Sequence, residues 1–247
     1  MLWGVLLSYK KIDLSVIIPC YNESASITKL ISRIKSNLPN KFSFEIIFVN
    51  NGSTDESTSL FHQFRLEENH CFKFLDIEEN IGYGNGIIYG MNSAMGDVIA
   101  WTHADLQTDP VDIFEAYEVF INHPNFPTCI LKGKRINRNL FDTFFTRCMS
   151  IISSILLKKR LSDINAQPKM FHRSFLGNLP NPPKDFSLDL YLLYQTRLNN
   201  LKVIEFPVSF EKRLYGKSKG GGTLTGKFRL IVRTFRYILK LRKDVGI

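Results

Sequence analysis

The segment Trp101-Thr102-His103-Ala104-Asp105-Leu106-Gln107-Thr108-Asp109-Pro110 sets compact oxygen and nitrogen donors at the end of an apolar run, a place where a divalent cation can be held. Residues 97–101 read as a short buried strand, and Pro110 suits the first position of a following helix. Asp105 and Gln107 therefore fall on the connecting turn. In open α/β sheets, ligands bind in the crevice outside the carboxyl ends of the strands. The same residues also suit a plain polar turn with a helix cap, so the segment needs company before it means chemistry.

Two other stretches carry chemistry-bearing residues. Lys212-Arg213-Leu214-Tyr215-Gly216-Lys217-Ser218-Lys219-Gly220-Gly221-Gly222 is a basic, glycine-rich loop suited to phosphate oxygens. Gly82-Tyr83-Gly84-Asn85-Gly86 invites a dinucleotide reading, but the third glycine of that fingerprint would have to stand at Ile87. The incomplete fingerprint argues against hydride transfer. These glycines serve either a close helix approach or direct contact with a nucleotide.

Four apolar runs must position these turns. Leu14 to Ile18, Phe44 to Val49, Phe72 to Ile77 and Val98 to Trp101 each end in a polar turn rich in Asn, Gly, Ser or Asp. Between them Ile27, Leu30, Ile31 and Ile34, then Leu60, Phe61 and Phe64, recur at helical spacing. Strands alternating with helices predict right-handed crossovers and a mostly parallel sheet, with all four turns converging on one edge. The second half predicts a strand at Cys129 to Lys132, an apolar helix from Phe141 to Leu157, a strand at Pro168 to His172, a helix from Ser187 to Leu198 and a strand from Val203 to Phe206.

Composition narrows the function. The 247 residues suffice for one full core. Cys20, Cys71, Cys129 and Cys148 form no Cys-x-x-Cys pair, which argues against a zinc cluster or a disulfide framework and for a reducing compartment. The excess charge of +9 lies entirely from Glu211 onward, where eleven Lys and Arg face Glu211 and Asp244. Such asymmetry points to a polyanion or an anionic membrane as partner of the tail. Nucleic-acid binding would explain the charge but not the four convergent turns, so no nucleic-acid partner is expected.

The ordered elements resemble a glycosyltransferase family 2 enzyme with the GT-A fold, most closely the dolichol-phosphate mannose synthase and polyprenyl-phosphate glycosyltransferase branch. The matching elements are Ile17-Ile18-Pro19-Cys20-Tyr21-Asn22-Glu23, Asn50-Asn51-Gly52-Ser53-Thr54-Asp55, Gly96-Asp97, Ala104-Asp105-Leu106-Gln107 and Arg213-Leu214-Tyr215-Gly216-Lys217-Ser218-Lys219. The resemblance spans about residues 14–219. It implies transfer of a sugar, with inversion, from a nucleotide sugar to a lipid-phosphate or lipid-linked acceptor, assisted by Mg²⁺ or Mn²⁺. Pro19, Tyr21, Asn22, Glu23, Asn50, Asn51, Ser53 and Gly82, with Asp105, Arg213, Ser218 and Lys219, would bind the donor. Asp105 and Gln107 would hold metal.

Two departures bear on this. The family normally has Asp-Asp where this chain has Asn50-Asn51, and an Asn can accept from a uracil N3–H, which favours UDP over GDP. His103 stands where the family usually has the first Asp of Asp-x-Asp; it binds metal, touches the sugar or fills space, and weakened or absent activity is the alternative reading. Arg135 matches the family's arginine after the fifth strand and, with Arg138, would hold an anionic acceptor. A phosphate monoester ionises a second time at about pH 6 and needs no strong base. A sugar hydroxyl would need one, and Asp189 or Asp163 would supply it.

From Leu224 to Lys243, apolar Leu224, Phe228, Ile231, Val232, Phe235, Ile238 and Leu239 form one helical stripe and Arg229, Arg233, Arg236, Lys240 and Lys243 another. The expected organisation is a catalytic domain over residues 1–222 and a basic amphipathic helix over 223–247, bound to an anionic membrane surface, a membrane partner protein or the domain itself. With neither a spanning helix nor a signal peptide expected, the reading is a peripheral enzyme at the cytoplasmic membrane face, either as a monomer or as a homo-oligomer.

Overall fold

A computed structural model describes residues 11–67, 70–211, 213 and 224–244. The first half is the predicted alternation of β1 (Leu14–Cys20), α1 (Ser24–Lys35), β2 (Phe44–Asn51), α2 (Ser57–Leu66), β3 (Phe72–Ile77), α3 (Tyr83–Ser93) and β4 (Val98–Trp101). The second half adds α4 (Asp112–Ile121), β5 (Cys129–Ile136), α5 (Leu140–Leu157), β6 (Lys169–His172), a 3₁₀ turn at Arg173–Asn178, α6 (Leu188–Leu198), β7 (Lys202–Ser209) and α7 (Leu224–Asp244). The seven strands make one sheet in the order β3-β2-β1-β4-β6-β5-β7.

β1 lies between β2 and β4 with both pairings parallel, and β3 extends the parallel set beyond β2. Because side chains alternate across a strand, Ile17 joins one core layer while Val16 and Ile18 join the other. The first layer includes Ile87, Leu190 and Ile238 from α3, α6 and α7; the second includes Ile27, Phe61 and Phe120 from α1, α2 and α4. Burial on both faces is why these strands read as continuous apolar runs.

The far side of the sheet departs from a simple alternation. β6 runs antiparallel to both β4 and β5, and β7 returns parallel to β5. β5 continues to Ile136, past the expected end at Lys132, because all eight of its residues pair with β7 from Lys202 to Ser209. Charged residues hid this extension. Lys132 is 1% exposed and pairs with Glu205 of β7 at 3.1 Å.

α7 packs against α5 and sends Ile238 and Leu241 into the core, so the tail's apolar stripe is shared between the domain and the surface. α5 has 18 residues and a mean hydropathy of 1.4, which makes it long and apolar enough to cross a membrane, beyond what residues 150–157 alone suggest. Its outer face is open, with Leu140 89% and Ile155 70% exposed.

The Lys132–Glu205 contact generates an acid-stability prediction. Burial opposes the Glu205 charge, but the Lys132 charge and hydrogen bonds from Ser162, Lys134 and Lys132 bring its pKa from 4.5 to about 2. A depressed carboxylate contributes stability that is fully present above 4.5 and is lost as pH falls toward about 2. Glu205→Gln strands Lys132 in the sheet and should cost roughly 2 kcal/mol at pH 7. Urea unfolding across that pH window should show the gap between variant and parent closing with acid.

Candidate active site

The carboxyl ends of β1, β2 and β4 open into a cleft of about 700 Å³ that continues toward α5 and α7. Pro19, Tyr21, Glu23, Asn51 and Gly82 line its first half, so the dispersed turns do converge. Asn22, Asn50 and Ser53 brace that wall from behind. Asn22 takes a positive φ of 53°, and its Oδ1 accepts the backbone N–H of Thr54 at 2.7 Å, while its own N–H donates to the Ser53 hydroxyl at 3.1 Å. Asn50 is buried, donating to Thr58 Oγ1 at 2.9 Å and to Asp76 Oδ1 at 3.1 Å.

Asn51 is differently placed. Its Nδ2 donates to the Gly82 carbonyl at 2.9 Å, and its Oδ1 is buried without a hydrogen-bond partner among the described residues. An orphaned buried acceptor is costly unless some partner supplies the donor. Gly82 has φ of 133°, and a Cβ there would lie 2.3 Å from the Lys184 carbonyl oxygen; one at Gly84 would lie 2.4 Å from that of Pro183. These glycines therefore admit residues 183–185 against the start of α3.

After β4, Asp105 is oriented by its own turn. Its Oδ1 accepts the Gln107 N–H at 3.2 Å, and its Oδ2 stands 3.8 Å from Arg213 Nη1. Arg213 also pairs with Glu23, so one guanidinium ties the end of β1 to the acidic turn. Gln107 donates its Nε2 to the Glu211 carbonyl at 3.2 Å. His103 lies tilted against the Tyr83 ring, with centroids 5.4 Å apart. Among the described residues no group of three His, Cys, Asp or Glu side chains is close enough to enclose a metal. One carboxylate with a neighbouring imidazole does fit a cation whose other ligands are water and diphosphate oxygens, the usual way Mg²⁺ is held. Ser218 and Lys219 lie outside the described residues.

Beneath the cleft lies a buried polar network that spacing did not reveal. Asp189, in the first turn of α6, accepts from Trp101 Nε1 at 3.2 Å and from Gln167 Nε2 at 3.0 and 3.1 Å. Gln167 also donates to the Tyr83 hydroxyl at 3.2 Å. Tyr83 stacks on Phe186 at 4.9 Å, and burial, followed by the charges of Asp189 and Asp105, raises its pKa well above the ordinary tyrosine value. It is a neutral hydrogen-bonding group here. Gln167 and Phe186 carried no sequence signal.

In the second half, Arg135 and Arg138 line the cleft and flank the Phe210 ring at 5.2 and 5.4 Å. Arg135 Nε donates to Asp163 Oδ1 at 2.9 Å, and its backbone N–H donates to Asp163 Oδ2 at 3.0 Å. Asp163 thus anchors Arg135 from outside the cleft lining. Arg138 donates to Thr146 Oγ1 at 2.8 Å, while its buried Nε has no partner among the described residues. Phe145 and Met149 of α5, with Leu230 and Ile231 of α7, form apolar walls beside these arginines.

A mostly parallel sheet with its cleft at the carboxyl ends of the first strands, an acidic turn after the fourth and basic side chains facing both defines the GT-A architecture of nucleotide-diphospho-sugar transferases. The chain belongs to glycosyl transferase family 2, whose profile matches residues 15–178. It is 28% identical over 226 residues to the undecaprenyl-phosphate 4-deoxy-4-formamido-L-arabinose transferase of Proteus mirabilis, covering 86% of this chain and 64% of that protein. The enzyme of the same name from an Enterobacter species is 28% identical over 83% of this chain and 62% of its own length. The chain thus spans a little under two thirds of these relatives. In fold it is similar to glucosyl-3-phosphoglycerate synthase from Mycobacterium tuberculosis, solved with Mn²⁺, uridine diphosphate and phosphoglyceric acid, at a TM-score of 0.70, 17% identity, and coverage of 93% of this chain and 78% of that one. A mannosyltransferase from Pyrobaculum calidifontis, solved with GDP-Man and Mn²⁺, gives a TM-score of 0.62 at 17% identity, covering 91% of this chain and 65% of that one.

The Arg135–Asp163 pair is mostly buried, and burial alone would raise Asp163, but hydrogen bonds and charge from Arg135 hold it below the usual carboxylate range. Asp163→Ala leaves Arg135 uncompensated and should cost about 3 kcal/mol in denaturant unfolding. Asp163→Asn should cost less, since it keeps an acceptor for the guanidinium.

Proposed function

We propose that this protein transfers a sugar from a nucleoside-diphosphate sugar, a UDP-sugar in preference to a GDP-sugar, to a polyprenyl phosphate at a membrane surface, with Mg²⁺ or Mn²⁺ as cofactor. The observation that carries this reading is one continuous cleft. A half able to take a nucleotide diphosphate, at Asn51, Asp105 and Arg213, runs into a half with two arginines and apolar walls, at Arg135, Arg138, Phe145 and Ile231. Phosphate joined to hydrocarbon matches that second half. The undecaprenyl-phosphate transferases among the relatives support the same acceptor class.

Asn51 suits the base. With Nδ2 held by the Gly82 carbonyl, its Oδ1 is left to accept the N3–H of a uracil, whereas the guanine edge presents donors better met by a carboxylate. Asp105, with His103 beside it and Gln107 in the same turn, would hold the cation; when bound, a divalent ion stabilises negative charge on the departing diphosphate. Arg213 lies near that carboxylate and would add a second positive charge to stabilise the diphosphate as it leaves.

The acceptor needs little help to ionise. A phosphate monoester is largely dianionic at neutral pH, and the arginines of the second half would orient it toward the sugar on the face opposite the leaving group, which gives inversion. Asp189 would be the side chain to receive a proton from a hydroxyl acceptor, but it already accepts from Trp101 and Gln167. We assign it to orientation of the sugar rather than to proton removal. The open apolar face of α5 and the exposed Arg229, Arg236 and Lys240 of α7 suit peripheral attachment to the cytoplasmic leaflet.

Purified protein, Mn²⁺, a donor panel and farnesyl phosphate test the reading through release of nucleoside diphosphate. UDP-sugar turnover is expected, and Asp105→Ala should lower it at least about 100-fold without loss of folding; no release with any donor removes the proposal. Calorimetry with Mn²⁺ should show UDP binding more tightly than GDP, and Asn51→Ala should weaken UDP about tenfold. Equal affinity for the two nucleotides would overturn the base assignment alone.

A further inference from the structure

Lys169 is an unusual residue to find on a central strand. It is 0% exposed, and β6 sets it cross-strand from Trp101 on one side and from the buried Lys132 on the other. Two cations facing each other across a ladder repel, so the Lys169 ammonium must be held there by other contacts.

Three contacts do so. Lys169 Nζ donates to the carbonyls of Ile164 and Ala166, each at 2.7 Å, and lies 3.4 Å from Asp189 Oδ1. The two carbonyls belong to the segment that carries Asp163, the anchor of Arg135, and Ile164, which lines the acceptor half. Asp189 belongs to the donor side, joined to Trp101 and, through Gln167, to the Tyr83 hydroxyl. An ammonium has three donors, and here they match two carbonyls and one carboxylate.

We propose that Lys169 is a positioning residue that fixes the acceptor segment 161–166 against the donor-side carboxylate Asp189, and so sets the distance between acceptor phosphate and donor sugar. The inference rests on the transferase reading given above. It also makes acceptor binding sensitive to alkali. A neutral amine keeps only two N–H donors, so loss of one proton releases a carbonyl or the carboxylate. Burial lowers the Lys169 pKa to about 8, with Asp189 and Asp163 opposing that shift and Lys132 adding to it. The anchoring is complete below about 8 and is lost as pH rises past it.

The test uses the full chain with Lys169→Met and Lys169→Arg, farnesyl phosphate as acceptor, and a pH series from neutral to alkaline. In the parent, acceptor KM should rise about tenfold through the transition while donor KM stays level. Lys169→Met should show the high acceptor KM at every pH, and Lys169→Arg, which stays charged, should lose the alkaline rise. Hydrogen exchange over 161–167, corrected for intrinsic rates, should follow the same titration in the parent. That readout needs neither turnover nor a variant, so it separates this inference from the assignment of the reaction. A methionine variant with the parent's acceptor KM and pH profile overturns the proposal; so does an arginine variant that keeps the alkaline rise, or exchange over 161–167 that ignores pH.

Discussion

The parallel pairing of β1 between β2 and β4 is the constraint on which the cleft depends. Parallel neighbours end on the same side of a sheet, so the register that sets Cys20 beside Asn50 and Ile17 beside Trp101 also sets three polar turns side by side. The asparagine clasp at Asn22, the orphaned acceptor of Asn51 and the acidic turn at Asp105 come from segments more than twenty residues apart in sequence. None of these turns could make a binding wall alone. A slip of one residue in that ladder would send each side chain to the opposite face and dissolve the site.

A second layer of organisation is electrostatic. Arg213 bridges Glu23 and Asp105, Arg135 is fixed by Asp163, and Lys169 joins Asp189 to the loop before β6. In each case a charged side chain at or beneath the cleft has a partner that holds its orientation before any ligand arrives. Such preorganisation carries a stability cost, since ions taken from water recover the loss only with good geometry. It also fits the chemistry proposed here, in which a negatively charged leaving group and a negatively charged nucleophile must be brought together.

The first half of the fold was legible because β1, β2 and β4 are buried on both faces and its helices on one. Runs such as Phe44 to Val49 and the spacing of Ile27, Leu30, Ile31 and Ile34 leave few other solutions. The second half was less legible where charge interrupts a strand. Lys134 and Arg135 lie past the predicted end of the strand at Lys132, yet they continue β5 because β7 offers a full-length partner and Glu205 offers a counter-charge. Gln167 and Lys169 were silent for the same reason: their roles are defined by what Tyr83, Trp101 and Asp189 bring to them from distant segments.

The local sequence by itself determined the order of the elements, the polar turns that close the first four strands, and the types of side chain available for a diphosphate. These follow from period and composition, which are properties of neighbours along the chain. Only the tertiary structure decided that β6 runs against its neighbours, that α7 packs on α5 and walls the cleft, that Asp163 serves Arg135, and that Asn51 rather than Asn50 faces the ligand space. The physical reason is that direction, burial and hydrogen-bond partnership are set by contacts between segments far apart in the chain, and a residue's own type does not encode which partner will reach it.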